Sequence, residues 1–391
     1  MCSKPLCEYE GSGYSCDADP YADDFSDEDY CEPEFCDLSA ASSLLERRGR
    51  PPFTVDWQTT VNSSVRSFRL SLQMRGYPGS GSLHGPTRSA SASNNMFRMV
   101  RDNCRLTEIE IIDRTTMAEA DVSAAWDTEH NPDAQYVRDF VRTLATGILP
   151  KSSTTTVAAI DGQVLNDNWN GRVLPSGIPR AGSSQRIRTP NGYLFDRIGS
   201  QGNRLPLLLC ERNMNRMKGL IFNLRMLSPN NGGGGSGDNG QSSVGERPNP
   251  MDNAQFTALL EQAGLGNLGA QNEMFENLRM AIAVFRYINH PDAQPTVQRN
   301  RRELRTATTL IAQAVGPLRN AVAIQREFDS NWYREAADRT RAWVAERILE
   351  IRLHFGELDQ NGELPPNAAD VRDITDTLAE QIHYIQPPPD I

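Results

Sequence analysis

The chain has 391 residues, a formal net charge of −10, 38% apolar residues and a mean hydropathy of −0.54. That length accommodates two domains plus tails, while the low apolar content leaves part of the chain without a core to join. The acidic balance argues against a general nucleic-acid or anionic-membrane binder, and with no run of about 18 apolar residues and no basic-then-apolar N-terminus, neither a transmembrane span nor a signal peptide is expected.

Residues 1–50 read as a disordered acidic tail. Asp17, Asp19, Asp23, Asp24, Asp27, Glu28, Asp29, Glu32, Glu34 and Asp37 crowd together, with Tyr21, Phe25, Tyr30 and Phe35 spaced among them. Such a segment buries no core of its own but can dock its aromatics into a partner's basic, apolar groove. Ser26, followed by Asp27, Glu28 and Asp29, has the context acid-directed kinases favour. Cys2-x4-Cys7 and Cys31-x4-Cys36 are two pairs at the wide end of zinc-ligand spacing, but no histidine is near and the setting is acidic, so neither a metal nor a cofactor is expected. The odd total of seven cysteines, without a signal peptide, points to reduced thiols and an intracellular protein.

Residues 51–228 read as an α+β domain in which strands outnumber helices. Phe68, Leu70, Leu72 and Met74 alternate with polar residues, and Leu106 to Ile112 alternates again with Glu108 and Glu110 outward. Asn131-Pro132 should cap a helix with the stripe Tyr136, Val137, Phe140, Val141 and Leu144, ended by Gly147. Asp161-Gly162 reads as a hairpin turn, and Leu205 to Cys210 and Leu220 to Met226 as further strands. Gly76 to Asn95 and Asn166 to Gly192 are turn-rich.

Residues 229–250, with Gly232 to Gly235, form a flexible linker. Residues 251–391 read as a helical bundle. Asp252 and Gln255 resemble a capping box, Phe275, Leu278, Ile282 and Phe285 mark a second helix, and Gly316-Pro317 should split a long third one. From Ala307 to Phe355 apolar residues recur at helical spacing, and Val371, Ile374, Leu378, Ile382 and Ile385 mark a last helix with Asn367 as N-cap.

Only three of the forty basic residues are lysines, Lys4, Lys151 and Lys218. Arginine forks suit bidentate pairing at interfaces, although a GC-rich coding genome produces the same bias. Arg301, Arg302 and Arg305 belong to the densest basic cluster, which reads either as a phosphate contact or as an ion-paired helix face. Phe328, Trp332 and Trp343 are large side chains on one helix, core residues or the anchors of an interface. Phosphate loops, nucleophile elbows and His-Glu-x-x-His are missing, and the five histidines are scattered, with His354 and His383 near helix ends.

The segment Arg212 to Pro229 and the stretch from Gln271-Asn272-Glu273 through Ile288-Asn289 are similar, in the same order, to parts of baculovirus GP41-type tegument proteins. The general character of the chain resembles capsid and tegument proteins of large double-stranded DNA viruses, and a herpesvirus-like triplex subunit fits the composition equally. The resemblance implies a virion component, found in the virion and the host nucleus. The expected function is therefore a non-enzymatic structural protein that acts by self-association or by binding other structural proteins, with no small-molecule substrate and no nucleic acid. The alternative is an intracellular regulatory adaptor whose acidic-aromatic tail recruits a partner, with zinc on its cysteines.

Overall fold

The computed structural model describes residues 53–61, 64–84, 95–101, 103–179, 189–224, 253–358 and 362–391. Tyr21, Phe25, Ser26, Tyr30, Phe35, the cysteines Cys2, Cys7, Cys31 and Cys36, Asp252 and the expected linker all lie outside these residues.

Period-two alternation builds the first element, a hairpin of β1 (Phe53–Val61) and β2 (Ser64–Leu72) in antiparallel register from Phe53↔Leu72 to Val61↔Ser64. Val55, Trp57, Leu70 and Leu72 face inward, while Asp56, Gln58 and Arg69 face water. Across the outer face Arg69 Nε donates to Asp56 Oδ1 at 2.7 Å. The short helix α1 (Ser80–His84) occupies part of the turn-rich stretch after it.

A separate four-stranded sheet follows, in the order β4-β3-β6-β5. It consists of β3 (Asn95–Met99), β4 (Ile109–Asp113), β5 (Trp126–His130) and β6 (Leu207–Glu211), with β3 parallel to β6 and both outer pairs antiparallel. The inner strand β6, Leu-Leu-Leu-Cys-Glu, is buried along its whole length: Leu207 to Cys210 form the apolar run of a doubly covered strand, and the buried Glu211 at its end pairs with Arg101. Met96, Leu207 and Leu209 meet Leu83 of α1 and Val122 of α2 (Glu119–Ala125) on one face. Phe97, Leu208 and Cys210 join the main core on the other.

Between β5 and β6 lie α3 (Ala134–Thr146), α4 (Gly162–Trp169) and α5 (Pro190–Ile198); α6 (Arg212–Phe222) follows β6 directly. The helix α3 carries the expected stripe and ends at Gly147, whose φ of 68° is the left-handed cap glycine allows. Its N-cap is Asp133, which accepts from the Gln135 amide, and not Asn131. Asp161-Gly162 opens a helix instead of turning a hairpin. The Asp161 carboxylate accepts from the Gln163 and Val164 amides at 3.0 and 3.1 Å, an N-cap bond that a turn would not supply. A side chain at Gly162 would come within 2.8 Å of Phe68, so the helix start packs directly on the hairpin. Leu220 and Phe222 belong to α6, whose buried positions Met214, Met217, Lys218, Ile221 and Phe222 follow a 3.6-residue period. Strands therefore do not outnumber helices here: six of each are described between residues 53 and 224.

The C-terminal part comprises α7 (Asn253–Gly264), α8 (Leu268–Ile288), α9 (Gln294–Ala314), α10 (Ala321–His354) and α11 (Ala368–Gln381). Gly316-Pro317 splits α9 from α10 through a single 3₁₀ turn, as its chemistry requires. Asn367 precedes α11 in a left-handed conformation and makes no side-chain cap bond. Met280 to Phe285 of α8 are all buried, so this helix is apolar on every side and runs through the middle of the fold. Its ring contacts join the two parts: Tyr287 lies 5.1 Å from Phe97 of β3, and Phe285 6.1 Å from Phe222 of α6. One core cluster thus extends from Val55 of the hairpin to Ile385 beyond α11. No helix of the described residues is long and apolar enough to cross a membrane.

Candidate functional site

The α9 stripe Val297, Arg301, Leu304, Thr308, Ile311 carries a cation among its buried positions, and the α10 stripe Gln325, Phe328, Asp329, Trp332, Ala336 carries an anion. The two helices bring these charges together. Arg301, 1% exposed, donates from Nη2 and Nε to Asp329 Oδ2 at 2.6 and 3.1 Å and from Nη1 to the Pro389 carbonyl at 2.6 Å. Its guanidinium stacks 4.7 Å over the ring of Tyr333. Asp329 also accepts from the Tyr136 hydroxyl of α3 at 2.9 Å and from Arg305 Nη2 at 3.2 Å. A buried carboxylate with four donor groups around it is fully satisfied, which is the condition for keeping it charged in a low-dielectric interior.

Arg301 and Arg305 reach beyond Asp329 to the last residues of the chain. Arg305 donates to the Ile391 carbonyl, Ser330 Oγ to Asp390 Oδ1 at 2.6 Å, Arg341 to the Ile385 carbonyl at 2.7 Å and Asn289 to the Gln386 carbonyl at 2.9 Å. The Pro-rich segment 385–391 is therefore a strap laid along α9 and α10, with its own Ile385 and Pro388 buried. Burial works against the charge of Arg301, but Asp329 together with Tyr333 and Tyr136 outweighs it and the guanidinium's pKa is raised. Burial, followed by the Asp329 charge, pushes the Tyr136 hydroxyl far above its ordinary range.

Trp332 and Phe328 sit beside this cluster and are fully buried. Trp332 stacks on Phe222 at 4.8 Å, meets Tyr136 edge-on at 5.1 Å and donates from Nε1 to Asp139 at 3.3 Å. Trp343 packs edge-on against Phe256 of α7, 5.9 Å away. The structure thus gathers Phe328, Trp332 and Arg301, all buried, and the partly exposed Arg305 into one neighbourhood, where apolar area and paired charge hold helices together. Arg302 is the exception: it lies exposed on the outside of α9.

A second buried charge cluster lies where β5 meets α6. Lys218, 1% exposed, contacts Glu129 Oε1 at 2.8 Å and Asp133 Oδ2 at 3.3 Å, and donates to the His130 carbonyl at 2.8 Å. Tyr287 of α8 donates to the other Glu129 oxygen at 2.6 Å. Burial works against the ammonium, yet the two carboxylates outweigh it and raise its pKa. Burial also works against the Asp133 carboxylate, but Lys218, His130 and the Gln135 amide together outweigh it and lower that pKa.

At the surface, a pocket of about 530 Å³ opens between β4, the end of α8 and the 3₁₀ turn Ile382–Tyr384, lined by Glu108, Arg286, Asn289, His290, His383 and Tyr384 among others. Arg286 lies 4.0 Å over the Tyr384 ring and donates to Thr107 Oγ1 at 3.2 Å. His383 thus shares a pocket with His290 and not with His354, which packs against Gly264. Glu108 and Glu110 serve different arginines: Glu110 pairs with Arg98 at 2.8 Å, and Glu108 lies 3.8 Å from Arg286. Among the described residues no group of three or more His, Cys, Asp or Glu side chains is placed to hold a metal ion. Cys210 is a free, buried thiol.

Two signals for the buried clusters were present in the sequence. Arg301 and Asp329 each stand at an apolar position of their helix, and Lys218 is a rare lysine within the period of α6. Compared with protein families, curated proteins and solved structures, the chain matches none.

Proposed function

We propose that this chain is a non-enzymatic structural protein, a subunit of the capsid or tegument kind that works through contacts with copies of itself or with other structural proteins. One observation carries the reading. Guanidinium forks, buried at Arg301 and Arg279 and partly exposed at Arg341, tie remote segments of the chain to each other through backbone carbonyls: Arg301 to Pro389, Arg341 to Ile385, and Arg279 to Val100 and Leu106 at 2.6 and 2.9 Å. A guanidinium that holds a carboxylate and a carbonyl at once fixes two elements at a defined distance, and a body clipped in this way presents its surfaces in fixed relation, as a repeating subunit must. The virion setting comes from the sequence resemblance alone.

The test is the native mass of the purified full chain by light scattering, at two concentrations and two salt levels, with zinc quantified on the same sample. A defined oligomer, or a mass that grows with concentration, without zinc, is the expected result. A monomer throughout overturns the reading, and a monomer carrying stoichiometric zinc favours the regulatory adaptor.

A further inference from the structure

In its C-terminal half α10 turns an apolar face to water. Ala342, Ala345, Leu349 and Leu353 recur at steps of three and four, which places them on one side of the helix. All four are exposed, Leu349 and Leu353 at 56% each. The opposite side, with Trp343, Val344, Arg347 and Ile351, is buried. The neighbouring helices do not cover the stripe: α7 meets α10 at Trp343, through Phe256, and α11 meets it at Arg352, through Asp376, one on either flank.

A single exposed leucine is ordinary, but these are grouped. Leu358, just past the helix, is 63% exposed, and Leu265, on the turn between α7 and α8, is 83% exposed. His354 packs against Gly264, so Leu265 stands at the same end of the molecule as Leu353. A grouped apolar surface of this kind marks a place of contact.

The charges beside the stripe select what makes that contact. With Leu349 facing outward, helical spacing puts Arg341 and Arg352 along one rim and Glu346 and Glu350 along the other. Arg352 is positioned by Asp376 at 2.7 Å, and Glu346 and Glu350 by the buried Arg347 at 3.1 and 3.0 Å. These partners, with Asp338 and Lys151 beside Arg341, reduce the charge of each rim without reversing its sign.

We propose that this face pairs with the same face of a second copy of the chain, the two α10 helices running parallel about a two-fold axis along their length. The proposal rests on the assembly reading and assigns it a surface. In that arrangement the arginine rim of each copy lies along the glutamate rim of the other. Arg341 faces Glu346 of the second copy, five residues further on, as charged pairs do in parallel helix dimers, and Arg352 lies opposite Glu350. Leu349 and the alanines meet their own counterparts across the axis. An antiparallel pair would set each rim against itself, glutamates on glutamates. One helix thus supplies both rims and the partners for both.

Sedimentation equilibrium of the full chain at low salt tests this. Leu349→Asp places two carboxylates at the axis and is expected to abolish the dimer. Val173→Asp, the same kind of change at an exposed site just past α4, should leave its Kd within about twofold. Arg352→Glu and Glu346→Arg each set like charges across the pair and are expected to weaken it about fivefold. Circular dichroism confirms that each variant is folded; if Leu349→Asp is not, Leu353→Asp on the same stripe and the two charge variants decide. A wild-type chain that associates with a Kd indifferent to the leucine changes overturns this surface and leaves the assembly reading standing. Tighter association of both charge variants overturns the parallel two-fold. A wild-type chain that never associates overturns both readings.

Discussion

Two buried cations, set in different parts of the molecule, are held in different ways. Lys218 lies within one neighbourhood: both its carboxylates and its carbonyl partner come from residues 129–133, and only the Tyr287 hydroxyl, bonded to Glu129, enters from the helical part. Arg301 reaches outward from α9 to Asp329 of α10 and to Pro389 of the strap, with Tyr136 of α3 completing the carboxylate. A compact ammonium is sufficient where acceptors converge on one point, and a planar fork is required where they are spread over two separate segments. The comparison offers a structural use for an arginine-rich composition, at least within α9 and α10.

That comparison can be broken experimentally. The largest effect is expected at Asp329→Ala, which leaves Arg301 buried without its close counter-charge and Tyr136 without an acceptor, and Arg305 with only the Ile391 carbonyl; a loss of about 5 kcal/mol in denaturant unfolding is predicted. Lys218→Met should cost about 3 kcal/mol at neutral pH, because Glu129 and Asp133 remain buried. Here the pH dependence has a defined sign. Lys218, with His130 and the Gln135 amide, holds the folded pKa of Asp133 below its unfolded value, so that carboxylate's contribution is full above the unfolded pKa and is lost as pH falls through the folded one. Burial raises the pKa of Glu129, which also loses its charge on acidification. The gap between wild type and Lys218→Met should therefore close on acidification, and a gap that widens would contradict the assignment. Arg301→Lys is the smallest and sharpest change, expected to cost about 2 kcal/mol because an ammonium cannot hold Asp329 and the Pro389 carbonyl together. If it is neutral, the fork is not needed and the contrast with Lys218 disappears.

The legible parts of the sequence were those where one local period decides. The stripe of α10, the break at Gly316-Pro317, the α3 stripe closed by Gly147 and the alternation of β2 all follow from spacing and backbone chemistry. Asp161-Gly162 misled because the same dipeptide serves a hairpin turn and a helix N-cap, and only the Phe68 and Trp57 rings packed against Gly162 show which is used. Leu220 and Phe222 alternate by coincidence within a helix whose buried face is set by Met214, Met217 and Ile221. The order β4-β3-β6-β5 depends on β3 and β6 meeting across more than a hundred residues, which no local pattern encodes. As for the candidate site, Phe328, Trp332, Arg301 and Arg305 were legible as prominent residues but not as one cluster. Asp329 and the strap that join them become visible only once α9 and α10 are packed together.

The account holds that these charges build the subunit and that its function lies on the surface. The most direct measurement is the native mass of the full chain carrying Arg301→Met together with Asp329→Leu, an exchange of a buried ion pair for apolar contact that can be close to neutral for stability. The account predicts a folded protein whose concentration-dependent mass matches the wild type. A double variant that melts like the wild type but has lost its self-association would contradict it, and would place the function in the cluster itself.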